Sequence, residues 1–184
     1  MKSLDIPGHS APAVGFEVPL EMLSACHSRV EQQCATLRRL AAHLVGHGAD
    51  ADARSAAASV MRYFDTSAKD HHADEEEDVF PALIESMAGS DAVCLRDLTA
   101  SLTAEHRELE TRWQRVRAVL ERIVRSVPAS LESEDIEALV SLYERHIARE
   151  ESELLPMAAR LLNDEALERV GRAMRERRGI EAVE

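Results

Sequence analysis

At 184 residues and a formal net charge of −12, the chain has room for one domain with a tail or two and no basic surface for nucleic-acid phosphates. Aromatics are 3% of it and glycine and proline are few, while alanine, leucine, arginine and glutamate dominate, which suits helices far better than sheets. No stretch matches a signal-peptide core or a membrane span, and Cys26, Cys34 and Cys94 follow no paired zinc spacing, so a cytoplasmic protein with reduced thiols and no membrane partner is expected.

Residues 1–18 hold Pro7, Gly8, Pro12 and Gly15 without a helical period and read as an N-terminal arm, with His9 incidental. Pro19 suits a first helical turn, and Leu20, Leu23, His27, Val30, Cys34, Leu37, Ala41 and Leu44 then step by three and four until Gly46 and Gly48. A second helix, from about Asp52 to Met87, carries Val60, Phe64, Ala68, His71, Glu75 and Val79 on one face, with Gly89 as its stop. The third spans roughly Asp91 to Val127 on the stripe Leu95, Leu102, His106, Leu109, Trp113, Val116, Leu120 and Ile123, and Pro128 closes it.

The fourth helix opens at Ser133, with Glu134 and Asp135 suiting its positive end, and runs on Ile136, Val140, Tyr143, Ile147, Glu150 and Leu154. Asn163 caps a short fifth helix, Asp164 to about Arg177, where Arg175, Arg177 and Arg178 serve the dipole. Long helices with short breaks predict an all-α fold: an up-down antiparallel four-helix bundle over 19–162, an arm over 1–18 and a C-terminal helix over 163–184.

Two segments share one pattern. His71-His72-Ala73-Asp74-Glu75-Glu76-Glu77-Asp78-Val79-Phe80-Pro81 and His146-Ile147-Ala148-Arg149-Glu150-Glu151-Ser152-Glu153-Leu154-Leu155-Pro156 both read His, three residues, Glu-Glu, two residues, two apolar residues, Pro. Residues four apart are neighbours on a helix face, so His71 lies beside Glu75 and His146 beside Glu150. With His27 and His106 on the other two core stripes, each helix contributes one inward histidine and two contribute an inward glutamate.

Burying such carboxylates alone costs on the order of several kcal/mol each. A cation removes that penalty; so does mutual His–Glu hydrogen bonding, which stays open as the alternative. Six nitrogen and oxygen donors without thiolate suit two larger ions bridged by carboxylates better than a structural zinc. Of about twelve positions on two octahedral ions, the histidines take four, two bridging glutamates four and a bridging oxygen two, so about two remain for water, dioxygen, peroxide or nitric oxide. Pro81 and Pro156 each delete a helical hydrogen bond and are expected to kink or end their helices below the ions.

At Cys26-His27, His71 to Pro81, Glu105-His106 and His146 to Pro156, over roughly residues 20–160, the sequence resembles the hemerythrin-like, or HHE cation-binding, family. The resemblance implies a bundle holding two iron ions, oxo- or hydroxo-bridged, with His27, His71, His106 and His146 as terminal ligands and Glu75 and Glu150 bridging. Oxygen-carrying members have a second histidine four residues on in the third helix, where this chain has Glu110. It therefore looks like the four-histidine, two-glutamate branch of sensors and redox proteins, away from reversible oxygen carriage. The implied function is a cytoplasmic redox protein for dioxygen, peroxide or nitric oxide. The alternative is an iron or oxygen sensor whose arm and fifth helix report metal-dependent stability to a protein partner.

Around this set, His72 lies about 100° from His71 and reads as exposed, with a ligand or a donor behind the ligands as the alternative. Glu76, Glu77, Asp78, Glu151 and Glu153 read as a solvated acidic face from which Glu76 and Glu151 have some chance of touching the site. Of His43 and His47, the latter is a conceivable extra ligand. Cys34 reads as a buried small hydrophobe before a redox partner, Trp113 as core, and Tyr143 as core filler or hydrogen-bond donor in equal measure.

Overall fold

The computed structural model describes residues 15–87, 91–127 and 129–180; His9, Gly89 and Pro128, each given a meaning above, lie outside them. The first rod is α1 (Pro19–His47), with its proline in the first turn. It ends where Gly48 takes φ 65°, the left-handed conformation open to glycine, and donates its N–H to the Leu44 carbonyl.

The second rod comprises α2 (Ala51–Asp65), α3 (Ser67–Ala73), a π turn over Asp74–Val79, and α4 (Phe80–Ser86). Asp50 caps α2 by accepting from the Ala53 N–H, and Thr66, at φ −125° and ψ −83°, breaks the rod between α2 and α3. The third rod is α5 (Asp91–Val124), three residues shorter at its end than the periodicity suggests. Ser126 at φ 57° closes it, with Val127 N–H bonded to Arg122 O and Ser126 N–H to Ile123 O, the Schellman arrangement built on a serine. The fourth rod joins α6 (Ser133–Arg149), a second π turn over Glu150–Leu154, and α7 (Leu155–Leu161). Asn163 then caps α8 (Asp164–Arg177) by accepting from the Ala166 N–H.

Neither Pro81 nor Pro156 ends or breaks its rod as expected. The helix widens for one turn instead, and the N–H groups of Phe80 and Leu155 reach back five residues to the carbonyls of Glu75 and Glu150. Each proline then falls in the first turn of the resumed α-helix, where an N–H has less to do. The repeat in sequence is thus a repeat in backbone, and each widened turn contains one of the two paired glutamates.

α1 packs on α2 and α6, and α5 on α2 and α6, closing the four rods into a bundle; α8 lies against α1 and the first π turn. Gly171 makes that approach possible, because a Cβ there would overlap the Phe16 carbonyl oxygen. The apolar interior forms two clusters. One gathers Val30, Leu37, Phe64, Trp113, Leu139 and their neighbours; the other gathers Leu23, Val79, Leu83, Leu102, Leu154 and Met174. Among the described residues, no helix is long and apolar enough to cross a membrane.

Candidate metal centre

Every rod passes from one apolar cluster to the other through a buried polar residue. His27 follows Cys26 and precedes Val30; His71 and Glu75 lie between Ala68 and Val79; His106 lies between Leu102 and Leu109; His146 and Glu150 lie between Tyr143 and Leu154. All six are essentially sealed from solvent, Glu75, His106 and Glu150 at 0% exposure. The structure brings all six residues of the candidate site together, as two overlapping groups: His27, His71, Glu75 and Glu150, and His106, His146, Glu75 and Glu150. The two glutamates belong to both.

Their oxygens divide between the groups. Glu75 turns Oε1 toward His71 Nε2 (3.5 Å) and His27 Nε2 (3.9 Å), and Oε2 toward His106 Nε2 (3.3 Å). Glu150 turns Oε2 toward His27 Nε2 (3.1 Å) and Oε1 toward His146 Nε2 (3.1 Å). Each carboxylate offers one oxygen to either side, the arrangement of a carboxylate bridging two ions.

The outer nitrogens are fixed by a second ring of carboxylates. An ionised carboxylate only accepts, so Nδ1 carries the proton in His27 bonded to Glu151 (2.6 Å), in His106 bonded to Glu76 (2.7 Å) and in His146 bonded to Glu105 (2.8 Å). In the neutral rings the Nε2 atoms are then left with lone pairs aimed inward, as metal ligands require. His106 Nε2 and His146 Nε2 stand 3.0 Å apart, two acceptors face to face unless a proton or a cation lies between them. Both oxygens of Glu75 and of Glu150, with His27 Nε2, are buried and without an aligned hydrogen bond. Mutual His–Glu hydrogen bonding leaves these atoms unaligned although Glu150 lies 3.1 Å from both His27 and His146, and cations between the rings would satisfy the set. The donor chemistry fits.

Without ions, the charges settle on the side chains. Burial opposes ionisation of Glu150, yet His106, His146 and His27 hold its carboxyl well below the usual range; Glu75 is also lowered, against burial and the charge of Glu150. Burial likewise opposes the imidazolium of His27, but Glu150, Glu75 and Glu151 push it up to about 11, and the same balance takes His106 to about 10. His71 moves the other way, pulled down by burial.

Several surrounding residues correct the sequence reading. Glu76 and Glu151 hold two of the histidine rings, and Arg107 in turn holds Glu76. Glu105, given no role above although it sits beside His106, holds His146 and accepts from Arg149 (2.8 Å). His72 is half-buried, its ring stacked parallel on His106 at 4.0 Å and grouped with His106 and His146, so it belongs to the wall of the site.

Asp74, also unassigned, has 0% exposure and is gripped by Arg177 and Arg178; Arg177 further binds Glu77 and Asp78 at 2.9 Å each. These arginines thus pair with the first motif instead of merely completing a helix dipole, and Glu77 and Asp78 are not simply solvated. Arg178 also lies over the Phe16 ring.

His47 is no ligand: it is exposed at the end of α1 and stacks on His43, which bonds Asp50 at 3.0 Å. Cys34 lies in the apolar cluster, its thiol pushed up to about 12 by burial, in keeping with a small hydrophobe. Trp113 is core, with its Nε1–H on Asp65 (3.0 Å). Tyr143 fills core beside Phe64, and its ring lies along that of His72.

Residues 18–158 match the family model of the hemerythrin HHE cation binding domain, a span that includes all six candidate ligands. A Haemophilus influenzae protein named only as uncharacterized is 32% identical over 162 residues, 88% of this chain and 91% of its own.

Proposed function

The chain belongs to the hemerythrin HHE cation-binding domain family, and on that premise we propose that it holds two iron ions and meets dioxygen, peroxide or nitric oxide in a cytoplasmic redox role. The division of each glutamate's oxygens between two histidine pairs is the observation that carries this reading. Imidazole and carboxylate donors without thiolate favour a first-row ion such as iron. Bound iron would supply an electron store and a Lewis acid with open coordination positions. His27 and His71 would hold one ion, His106 and His146 the other, and Glu75 and Glu150 both.

The protein's own part is preparation. Glu76, Glu105 and Glu151 fix three imidazole tautomers and ring orientations. The apolar clusters on either side keep bulk water out, which strengthens every charge interaction within. With Glu110 where carriers have a further histidine, fewer protein donors crowd the second ion. The test is to isolate the chain under air and anaerobically, record metal content and absorption for each, and mix each with the three small molecules. About two irons per chain and spectra that change on mixing support the reading; iron-loaded protein indifferent to all three removes it.

A second reading, an iron or oxygen sensor, draws on the grip of Arg177 and Arg178 on Asp74, the residue before Glu75. That contact ties α8 to a ligand-bearing turn, so occupancy and docking of α8 share one element. Iron-dependent protease sensitivity of α8 without turnover favours the sensor.

A further inference from the structure

We infer that the two cation positions are unequal, and that the position between His106 and His146 fills first while the one between His27 and His71 holds its ion more loosely. The inference rests on the two-ion reading and concerns which histidines are prepared for an ion in advance.

The first observation is the support behind the rings. Both His106 and His146 have a carboxylate on Nδ1, at 2.7 and 2.8 Å, and arginines hold those carboxylates in turn: Arg107 on Glu76 and Arg149 on Glu105. Of the other pair, only His27 is so backed, by Glu151, which is 40% exposed at its side chain. His71 Nδ1 is buried and has no partner among the described residues. A carboxylate behind an imidazole fixes its tautomer, aims its lone pair and raises its basicity. The arginines withdraw some of that electron push from Glu76 and Glu105, but they hold the carboxylates in place. One position therefore has two aimed imidazoles and the other has one.

The second observation is independent of the first. Two nitrogens about 2.1 Å from one ion and at a right angle to each other stand about 3.0 Å apart. His106 Nε2 and His146 Nε2 are 3.0 Å apart, with glutamate oxygens at 3.1 Å from His146 and 3.3 Å from His106, and one longer separation of 3.8 Å from His106 to Glu150. These are already the edges of a coordination shell. On the other side one edge is 3.1 Å, from His27 to Glu150, and two are longer: 3.5 Å from His71 and 3.9 Å from His27 to Glu75. That position must contract on binding.

The test titrates ion-free protein with Co2+ in the absence of oxygen, followed by calorimetry and d–d absorption. Two steps are expected, the first at least about tenfold tighter, and E76Q or E105Q should weaken that first step by about tenfold or more while leaving the second in place. H71A should remove the second step and spare the first. Should H71A not fold, wild-type crystals grown with one equivalent of Co2+ decide by anomalous scattering: cobalt beside His106 and His146 supports the inference. Two ions of equal affinity, or a first cobalt beside His27 and His71, overturns it with the two-ion reading intact. Saturation at a single cobalt per chain overturns both.

Discussion

Arg177 and Asp74 are 103 residues apart in sequence and form one ion pair, which carries the end of the C-terminal helix onto the turn that bears Glu75. Through it, α8 is tied to the turn that bears one of the candidate ligands. Among the described residues, Glu75 and Glu150 are the two carboxylates shared by both groups of the candidate centre.

Glu150→Gln keeps the volume but removes the charge from an oxygen pair facing His27 on one side and His146 on the other. Loading should fall from about two ions to one or none, by elemental analysis after anaerobic reconstitution. Glu75→Gln should do the same, since it too faces both pairs. In the ion-free protein, Glu150→Ala takes from three imidazoles the carboxylate they share, although Glu75, Glu76, Glu105 and Glu151 remain beside them, and a loss of up to about 3–5 kcal/mol in chemical denaturation is expected. A variant that retains two ions would show that the bridge is not made by these side chains.

His72 has a different role. Its ring covers His106 face to face and is half-buried, so it walls the second pair on the outer side. Burial pulls its pKa well below the ordinary histidine value, which keeps it neutral at physiological pH. His72→Ala should leave the number of bound ions unchanged and open a path to them. Faster binding of azide to the loaded protein, followed by absorption in rapid mixing, is the expected outcome, and an unchanged rate would place the entry elsewhere.

The clustering of the six candidate residues was legible in the sequence because the information is local: His71 with Glu75, and His146 with Glu150, follow from four-residue spacing on a helix. His27 and His106 were legible as interruptions in apolar stripes. The π turns were not, because Pro81 and Pro156 announce a lost hydrogen bond without saying whether the helix bends, ends or widens. Nor were the residues behind the histidines. Glu105 meets His146 across 41 residues and Asp74 meets Arg178 across 104, partnerships made by the packing of rods and visible in neither neighbourhood alone. Ser126 stands where a glycine would have marked the end of α5.

The charge network makes the ion-free protein sensitive to pH in a defined direction. The raised pKa values of His27 and His106, about 11 and about 10, contribute stability that is complete below the unfolded histidine value of about 6.5 and is lost as pH rises through 10 and 11. The lowered values of Glu75 and Glu150 contribute stability present above the unfolded carboxylate value of about 4.3 and lost as pH falls through their folded values. His71 and His72, lowered by burial, instead cost stability as pH falls below about 6.5, so ion-free protein should be most stable near pH 6.5, by denaturant titration across a pH series. Because an ion must displace the extra protons, loading near pH 8 should release about two of them, detectable with an indicator dye in weak buffer. Absence of proton release would mean that the imidazoles are already neutral.

Asp74 tests whether α8 supports the centre or merely covers it. Burial alone would raise its carboxyl pKa, and Arg178 and Arg177 oppose that without cancelling it. Removing its charge leaves two guanidiniums, at 17% and 18% side-chain exposure, without their shared buried partner. Asp74→Asn should cost about 3–5 kcal/mol, by the rule for breaking a buried pair from one side, less whatever Glu77 and Asp78 recover by holding Arg177. Arg178→Ala should cost less than Asp74→Asn, since Arg177 still pairs with Asp74, although Phe16 loses the cation over its ring. If α8 supports the centre, both variants should bind the ion between His27 and His71 more weakly than wild type, because Asp74 sits in the turn that aims Glu75 at those histidines. Limited proteolysis at α8 and Co2+ titration, run on the same samples, read the two effects separately. Cleavage that increases with unchanged affinity for cobalt would make α8 a cover only.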